Sequence, residues 1–213
     1  MKALFPHSGS FSLRCGTSDV SLYWMQNEGG LSSDFDLTIL NPVEQERLRS
    51  YTHFPAKAAF LGNRIWIRQV LGEHLGLAPA EVPLSADPHG RPLLETGPWR
   101  LSWTHSRNAI VLALVRDAQV GVDLEFHRPR QFLELATRFF HAAELQHLDM
   151  ISFYRLWTRK EALFKCVGGS LLEVLACDVR QDFHNGARLL ELRPPVSGAA
   201  SLSLALRFDS DSG

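Results

Sequence analysis

The densest apolar patterning in the chain lies between Leu101 and Glu125, where Ala109 to Val115 forms an unbroken run, Arg116-Asp117-Ala118-Gln119 interrupts it, and Val120 to Glu125 resumes. Two strand-length segments around a polar step predict a β-hairpin. Upstream the period is helical. Leu61, Ile65, Arg68 or Gln69, and Leu75 recur on one face, so a helix is predicted over about Pro55 to Leu75, with Gly76 as its stop. Asn41-Pro42-Val43-Glu44 combines an Asn cap, Pro at the first helical position and Glu three residues on, which predicts a helix over about 42–50. Pro79 to Pro98, with Asp87-Pro88-His89-Gly90-Arg91-Pro92 inside it, is rich in turn formers. Downstream, Phe132, Leu135, Ala136 and Phe139 mark one helix, and a second is predicted around Phe153 to Lys165, closed by Gly168-Gly169. Leu189–Leu192 and Ser201–Phe208 read as the last strands, and 209–213 as a frayed tail. Arg64-Ile65-Trp66-Ile67-Arg68 is echoed weakly by Arg155-Leu156-Trp157-Thr158-Arg159.

Composition limits what these elements can serve. A chain of 213 residues with 45% hydrophobic content can bury a full core as one large domain or two small ones. A formal charge of -1, from 22 basic and 23 acidic residues, gives no global pull toward nucleic acid or anionic membrane. The three cysteines lack CxxC spacing, which suggests neither a disulfide framework nor a zinc knuckle and fits a reducing cytoplasm. No apolar run is long enough to span a bilayer, and the N-terminus does not read as a secretory signal. The nine histidines lack HExxH spacing, and neither a GxxxxGK[ST] loop nor a GxGxxG turn is present.

Two segments carry chemistry. In Gly121-Val122-Asp123-Leu124-Glu125 the two acids stand two apart on a predicted strand, so both project from one face. Such a pair repels itself unless it is solvated or met by a hard divalent cation with oxygen ligands. A wet edge strand and a metal site both satisfy that requirement. In Trp157-Thr158-Arg159-Lys160-Glu161-Ala162-Leu163-Phe164-Lys165, the residues Trp157, Glu161 and Lys165 fall at successive i,i+4 positions. A surface Glu-to-Lys pair accounts for two of these. A stripe facing a wet cleft against the 121–125 strand accounts for all three, with Glu161 completing a metal site and Lys165 on a phosphate.

These two segments resemble the signature pair of the 4′-phosphopantetheinyl transferases. Further likeness lies in Trp103-Thr104-His105-Ser106, Gly90-Arg91-Pro92, Arg138-Phe139-Phe140 and Gly168-Gly169-Ser170, so that it runs from about Glu46 to Leu172. The length is similar to that of the larger, surfactin-synthetase-type group. The resemblance implies an α+β fold built as a pseudo-twofold tandem, with one half over 1–100, a second over 101–208, and the active site in the cleft between them. It implies a monomer that moves the phosphopantetheine arm of coenzyme A to a serine of an apo acyl, peptidyl or aryl carrier protein, with Mg²⁺ held by Asp123, Glu125 and Glu161. Arg91 and His105 would contact nucleotide phosphates, Thr104 would add a hydroxyl, and Lys165 would steady the transferring group, with Glu161 as the candidate general base. Thr104 stands where relatives often carry Ser. Before the first long helix, where relatives place basic residues for the 3′-phosphate, this chain offers Arg47, Arg49, His53 and Lys57; Ala58 and Ala59 stand where an arginine is common, so Lys57 is the substitute, with an ordinary solvated helix face as the other reading. Arg128, Arg130 and Arg138 would suit an acidic carrier helix or an ordinary solvated face. The competing expectation is a non-catalytic paralogue that binds carrier proteins or coenzyme A; it would not need the complete acidic set.

Overall fold

The computed structural model describes residues 5, 7–16, 18–27 and 36–208. The strands are β1 (Ser8–Cys15), β2 (Ser18–Gln26), β3 (Leu84–Ala86), β4 (Pro92–Leu94), β5 (Trp99–Ser106), β6 (Ala109–Arg116), β7 (Ala118–Phe126), β8 (Phe183–His184), β9 (Ala187–Leu192) and β10 (Ala200–Phe208). The α-helices are α1 (Pro42–Ser50), α2 (Phe54–Leu75), α3 (Phe132–Phe139), α4 (Met150–Val167) and α5 (Leu171–Ala176). The strands form two four-stranded antiparallel sheets, ordered β1-β2-β6-β5 and β7-β10-β9-β8, and a small β3-β4 ribbon. The fold is α+β. The expected tail at 209–213 lies outside the described residues.

Side-chain alternation explains the layering. On β6, Ile110, Leu112 and Leu114 join the core under α2, where Ile65, Trp66, Val70 and Leu71 are buried. Val111, Ala113 and Val115 point the other way, into a second core shared with Val122, Leu124, Leu202, Leu204 and Leu206 of the other sheet. A strand buried on both faces reads as a continuous apolar run, which is why Ala109–Val115 stands out in the sequence. On the far side of the second sheet, Ala162, Leu163 and Cys166 of α4 pack on Ala187, Leu189 and Ala205. The layers therefore run helix, sheet, sheet, helix.

The hairpin expected from 109–125 does not form. β6 already has β5 and β2 on its two edges, while β7 pairs with β10. Asp117, at φ 57°, turns the chain between the sheets, and its N–H donates to the Pro98 carbonyl at 3.1 Å. Apolar periodicity locates both strands but says nothing of their partners. The same pairing puts β5 and β6 with β1 and β2, so the chain passes from one sheet to the other between Arg116 and Ala118. β1 and β2 were not anticipated at all; their alternation is short and half-buried.

The helix signals hold closely. Asn41 Oδ1 accepts from the Glu44 N–H and Glu44 Oε2 accepts from the Asn41 N–H, both at 2.9 Å, closing the capping box of α1. Gly76, at φ 70°, ends α2. Arg68, placed on the helical face by its spacing, is buried and donates to Glu44 Oε2 at 2.7 Å and to the carbonyls of Pro79 and Val82. α4 starts at Met150, three residues before the expected point, because Asp149 accepts from the Ser152 N–H and caps it.

Candidate active site

The site is built where α4 crosses β7, and Gly121 sets how closely they approach. A Cβ at Gly121 would stand 2.0 Å from the Ala162 carbonyl oxygen and 2.6 Å from the Cys166 nitrogen. Only hydrogen fits there. Glu161 and Lys165 flank this crossing on α4, and Asp123 and Glu125 follow it on β7.

Lys165 Nζ donates to Asp123 Oδ1 at 2.7 Å and to the Val122 carbonyl at 3.1 Å. Thr104 Oγ donates to the same Asp123 Oδ1 at 2.9 Å. Asp123 is 4% exposed, so the wet strand face expected for it is replaced by a buried seat between the sheets and α4. Its second oxygen, Oδ2, is buried without a hydrogen-bond partner. Burial pushes the Asp123 carboxyl up, with Lys165 and Thr104 opposing. Burial also raises Glu125, held by Ser106, and Glu161; the Asp123 charge pushes both further. Carboxyls so placed that the Asp123 charge hinders the ionisation of Glu125 and Glu161 favour a shared cation. An all-oxygen anionic donor set suits a hard divalent ion such as Mg²⁺, and the orphaned Oδ2 is a free, buried ligand atom. Among the described residues no three His, Cys, Asp or Glu side chains are drawn tightly enough to hold a metal as they stand.

A cleft of about 1040 Å³ opens from this point between α2, the β3-β4 ribbon, β5 and the end of α4. Arg47, Arg64, Arg91, Arg100, His105 and Lys165 are the cationic or titratable bases on its walls, with His89 at the ribbon turn. Arg64 lies over the Trp103 ring at 4.8 Å and pairs with Glu44 at 3.4 Å. Arg47 lies over Phe60 at 5.6 Å. Asp87 Oδ2 accepts from Arg91 Nε at 2.8 Å, and a Cβ at Gly168 would come within 2.8 Å of the Arg91 guanidinium, so that glycine leaves it room. Burial and the Lys165 charge lower the His105 pKa.

Several expected residues stand elsewhere. Thr104, expected on the nucleotide, is turned inward onto Asp123 and the Leu124 N–H. Lys57 is exposed and does not line the cleft. Trp157 leaves the Glu161–Lys165 stripe for an aromatic cluster, with ring centroids 5.9 Å from Phe153 and 6.3 Å from Phe140 and the Arg130 guanidinium over it. Thr158, Arg159 and Lys160, between Trp157 and Glu161, are buried scaffold. Thr158 bonds Ser203, Arg159 binds the Val179 and Gln181 carbonyls, and Lys160 pairs with Glu144 at 2.8 Å. Arg64 and Arg100 were not singled out for the site. For Arg64 the available signal was its helical spacing from Phe60 and Ile67, which puts it on the wall they share.

A cleft edged by cations suits a polyanionic ligand, and Lys165, on its wall, ties it to the buried Asp123 carboxylate. Residues 119–207 match the family model described as the 4′-phosphopantetheinyl transferase superfamily. The chain is 30% identical over 175 residues to the 4′-phosphopantetheinyl transferase HetI of Nostoc sp., covering 72% of this chain and 73% of that protein. It is 31% identical to AcpT of Salmonella typhi, over 57% of this chain and 65% of that protein. It is 32% identical to psf-1 of Bacillus pumilus, over 64% and 61% respectively. The match thus spans just under two thirds of AcpT and psf-1. The chain belongs to the 4′-phosphopantetheinyl transferase superfamily. Among the described residues no helix is long and apolar enough to cross a membrane.

Proposed function

We propose that this chain transfers the 4′-phosphopantetheine arm of coenzyme A to a serine of an apo carrier protein (acyl, peptidyl or aryl) and releases 3′,5′-ADP. The observation that most supports this is the state of Asp123, with Oδ2 buried and free and Oδ1 held by Lys165, which also lines the cation-edged cleft.

Arg91 and His105 take the nucleotide phosphates. Arg47 and Arg64, which line the cleft, are assigned the 3′-phosphate in preference to Lys57, which does not. Mg²⁺ held by Asp123, Glu125 and Glu161 would offset charge on the pyrophosphate and on the leaving oxygen. Lys165 steadies the transferring phosphoryl group. The carrier serine oxygen bonds to the β-phosphorus, the bond from that phosphorus to the α-phosphate oxygen breaks, and the serine proton passes to Glu161. Burial and the Asp123 charge favour the protonated form of Glu161, while a bound Mg²⁺ would oppose it, so the roles of ligand and base compete in this one residue.

The tandem reading of the fold finds support in paired details. Arg68 of α2 grips the carbonyls of Pro79 and Val82, as Arg159 of α4 grips those of Val179 and Gln181. Glu44 and Glu144 pair with the basic residues of those helices. We read the protein as a monomer, and its free cysteines as suited to a reducing cytoplasm.

The test is the intact mass of an apo carrier protein incubated with the chain, coenzyme A and Mg²⁺, beside a chelator control and the Asp123→Ala variant. A gain of one phosphopantetheine, seen only with metal and the native chain, is expected. No gain with several carriers, from a folded chain that binds coenzyme A, would replace this reading with the non-catalytic paralogue.

A further inference from the structure

The edges of β5 and β7 meet without a main-chain ladder between them. Three hydroxyls of β5 bridge the seam instead, with Ser102, Thr104 and Ser106 accepting from the N–H groups of Val122, Leu124 and Phe126 at 3.2, 3.4 and 3.2 Å. The last two hydroxyls do more. With a lone pair taken by a β7 amide, each turns its proton onto the neighbouring carboxylate: Thr104 onto Asp123 Oδ1 at 2.9 Å and Ser106 onto Glu125 Oε2 at 2.9 Å. Ser102 lies one rung earlier, beside Gly121, where β7 carries no carboxylate. The cross-strand neighbours on the other edge do not compete. Ser203 and Ser201 stand opposite Asp123 and Glu125 in register, yet Ser203 bonds Thr158 at 2.8 Å and Ser201 bonds His127 at 2.9 Å.

We infer that Thr104 and Ser106 are positioning residues: each holds one oxygen of a β7 carboxylate so that the other is presented to the metal. This rests on the proposed metal-dependent transfer. The arrangement at Asp123 supports it directly, since Oδ1 receives both Thr104 and Lys165 while Oδ2 stays free. A carboxylate fixed at one oxygen loses its rotational freedom before the cation arrives, and removing such supporting hydrogen bonds weakens metal sites by roughly 10–100-fold. The alternating hydroxyls that would read as a solvated strand face thus tie the two sheets together and aim the acids.

The experiment is Mn²⁺ binding to the full chain, followed by the paramagnetic resonance signal of free Mn²⁺, with thermal unfolding recorded for each variant. Ser106→Ala should weaken Mn²⁺ binding by about tenfold or more. Ser106→Thr, which keeps the hydroxyl, should bind like the native chain. Ser102→Ala, which removes a seam bond but no carboxylate contact, should lower the melting temperature while leaving Mn²⁺ affinity unchanged. If Ser106→Ala folds poorly, Thr104→Val and Thr104→Ser decide the matter, and only the first should lose affinity. Native affinity in the hydroxyl-less variants, or an equal loss in Ser102→Ala, overturns the inference while leaving the transferase reading intact. A native chain that does not bind Mn²⁺ at all overturns the metal reading and this inference with it.

Discussion

Replacing Gly121 with alanine tests the geometry on which the whole site depends. The new Cβ would lie 2.0 Å from the Ala162 carbonyl oxygen, and carbon–oxygen contacts close only to roughly 3.3 Å, so α4 must withdraw from β7 by more than about 1 Å. Overpacking of this kind costs about 1–3 kcal/mol, offset in part by the roughly 0.5–1 kcal/mol that alanine gains over glycine within a strand. A net loss of about 1–2 kcal/mol follows, which for a urea slope of about 1–3 kcal/mol/M moves the unfolding midpoint by roughly 0.3–2 M. The functional loss should be larger. The 2.7 Å bond from Lys165 to Asp123 spans the same crossing, and a misplacement of about 1 Å in a catalytic group can cost on the order of 100-fold in rate. Urea unfolding and the rate of carrier modification should be read on the same preparation. Adding Ala162→Gly should rescue neither, because the clash is with a main-chain oxygen that both residues possess. Native stability and native turnover in Gly121→Ala, or rescue by Ala162→Gly, would refute the argument.

Other expectations follow from the same contacts. Lys160 and Glu144 are fully buried partners, so Lys160→Met alone should cost about 3–5 kcal/mol of stability; the double variant Lys160→Met/Glu144→Gln should lose less than the two single changes together, as a denaturation cycle will show. Burial pushes the Cys166 thiol up to about 12, so iodoacetamide at mild alkaline pH should label half-buried Cys177 and leave Cys166 unmodified until the chain unfolds, as read by peptide mass mapping. Glu161→Gln should lower kcat by a larger factor than it weakens coenzyme A binding; equal losses in both would make Glu161 a ligand and not the base.

What the sequence disclosed and what it withheld divide along a physical line. Asp123, Glu125, Glu161 and Lys165 could be singled out because an acidic pair on one strand face and a lysine one helical turn beyond a glutamate are each more economical in a shared site, and the structure brings Lys165 onto Asp123. α1 and α2 were legible because capping is local: Asn41, Glu44 and Gly76 act within a few residues of themselves. Pairing is not local. The seam between β5 and β7 depends on three hydroxyls some twenty positions upstream of the amides they meet, and a serine that bridges two sheets looks, in one dimension, like a serine facing water.

The same blindness explains Trp157. Its i,i+4 spacing to Glu161 is real, but a helix twenty-some ångströms long crosses more than one environment, so residues on one stripe need not face one site. The stripe starts among Phe140, Phe153 and Arg130 and ends on Asp123. Between those ends, Thr158, Arg159 and Lys160 fasten α4 to β10, to the segment around Val179 and to Glu144. Residues one to three positions from Glu161 therefore hold the helix against its surroundings, and Gly121 lets it lie close enough to matter. The long motif of α4 carries two functions interleaved by helical geometry: alternate faces of one helix deliver the acid and the lysine and fix the place to which they are delivered.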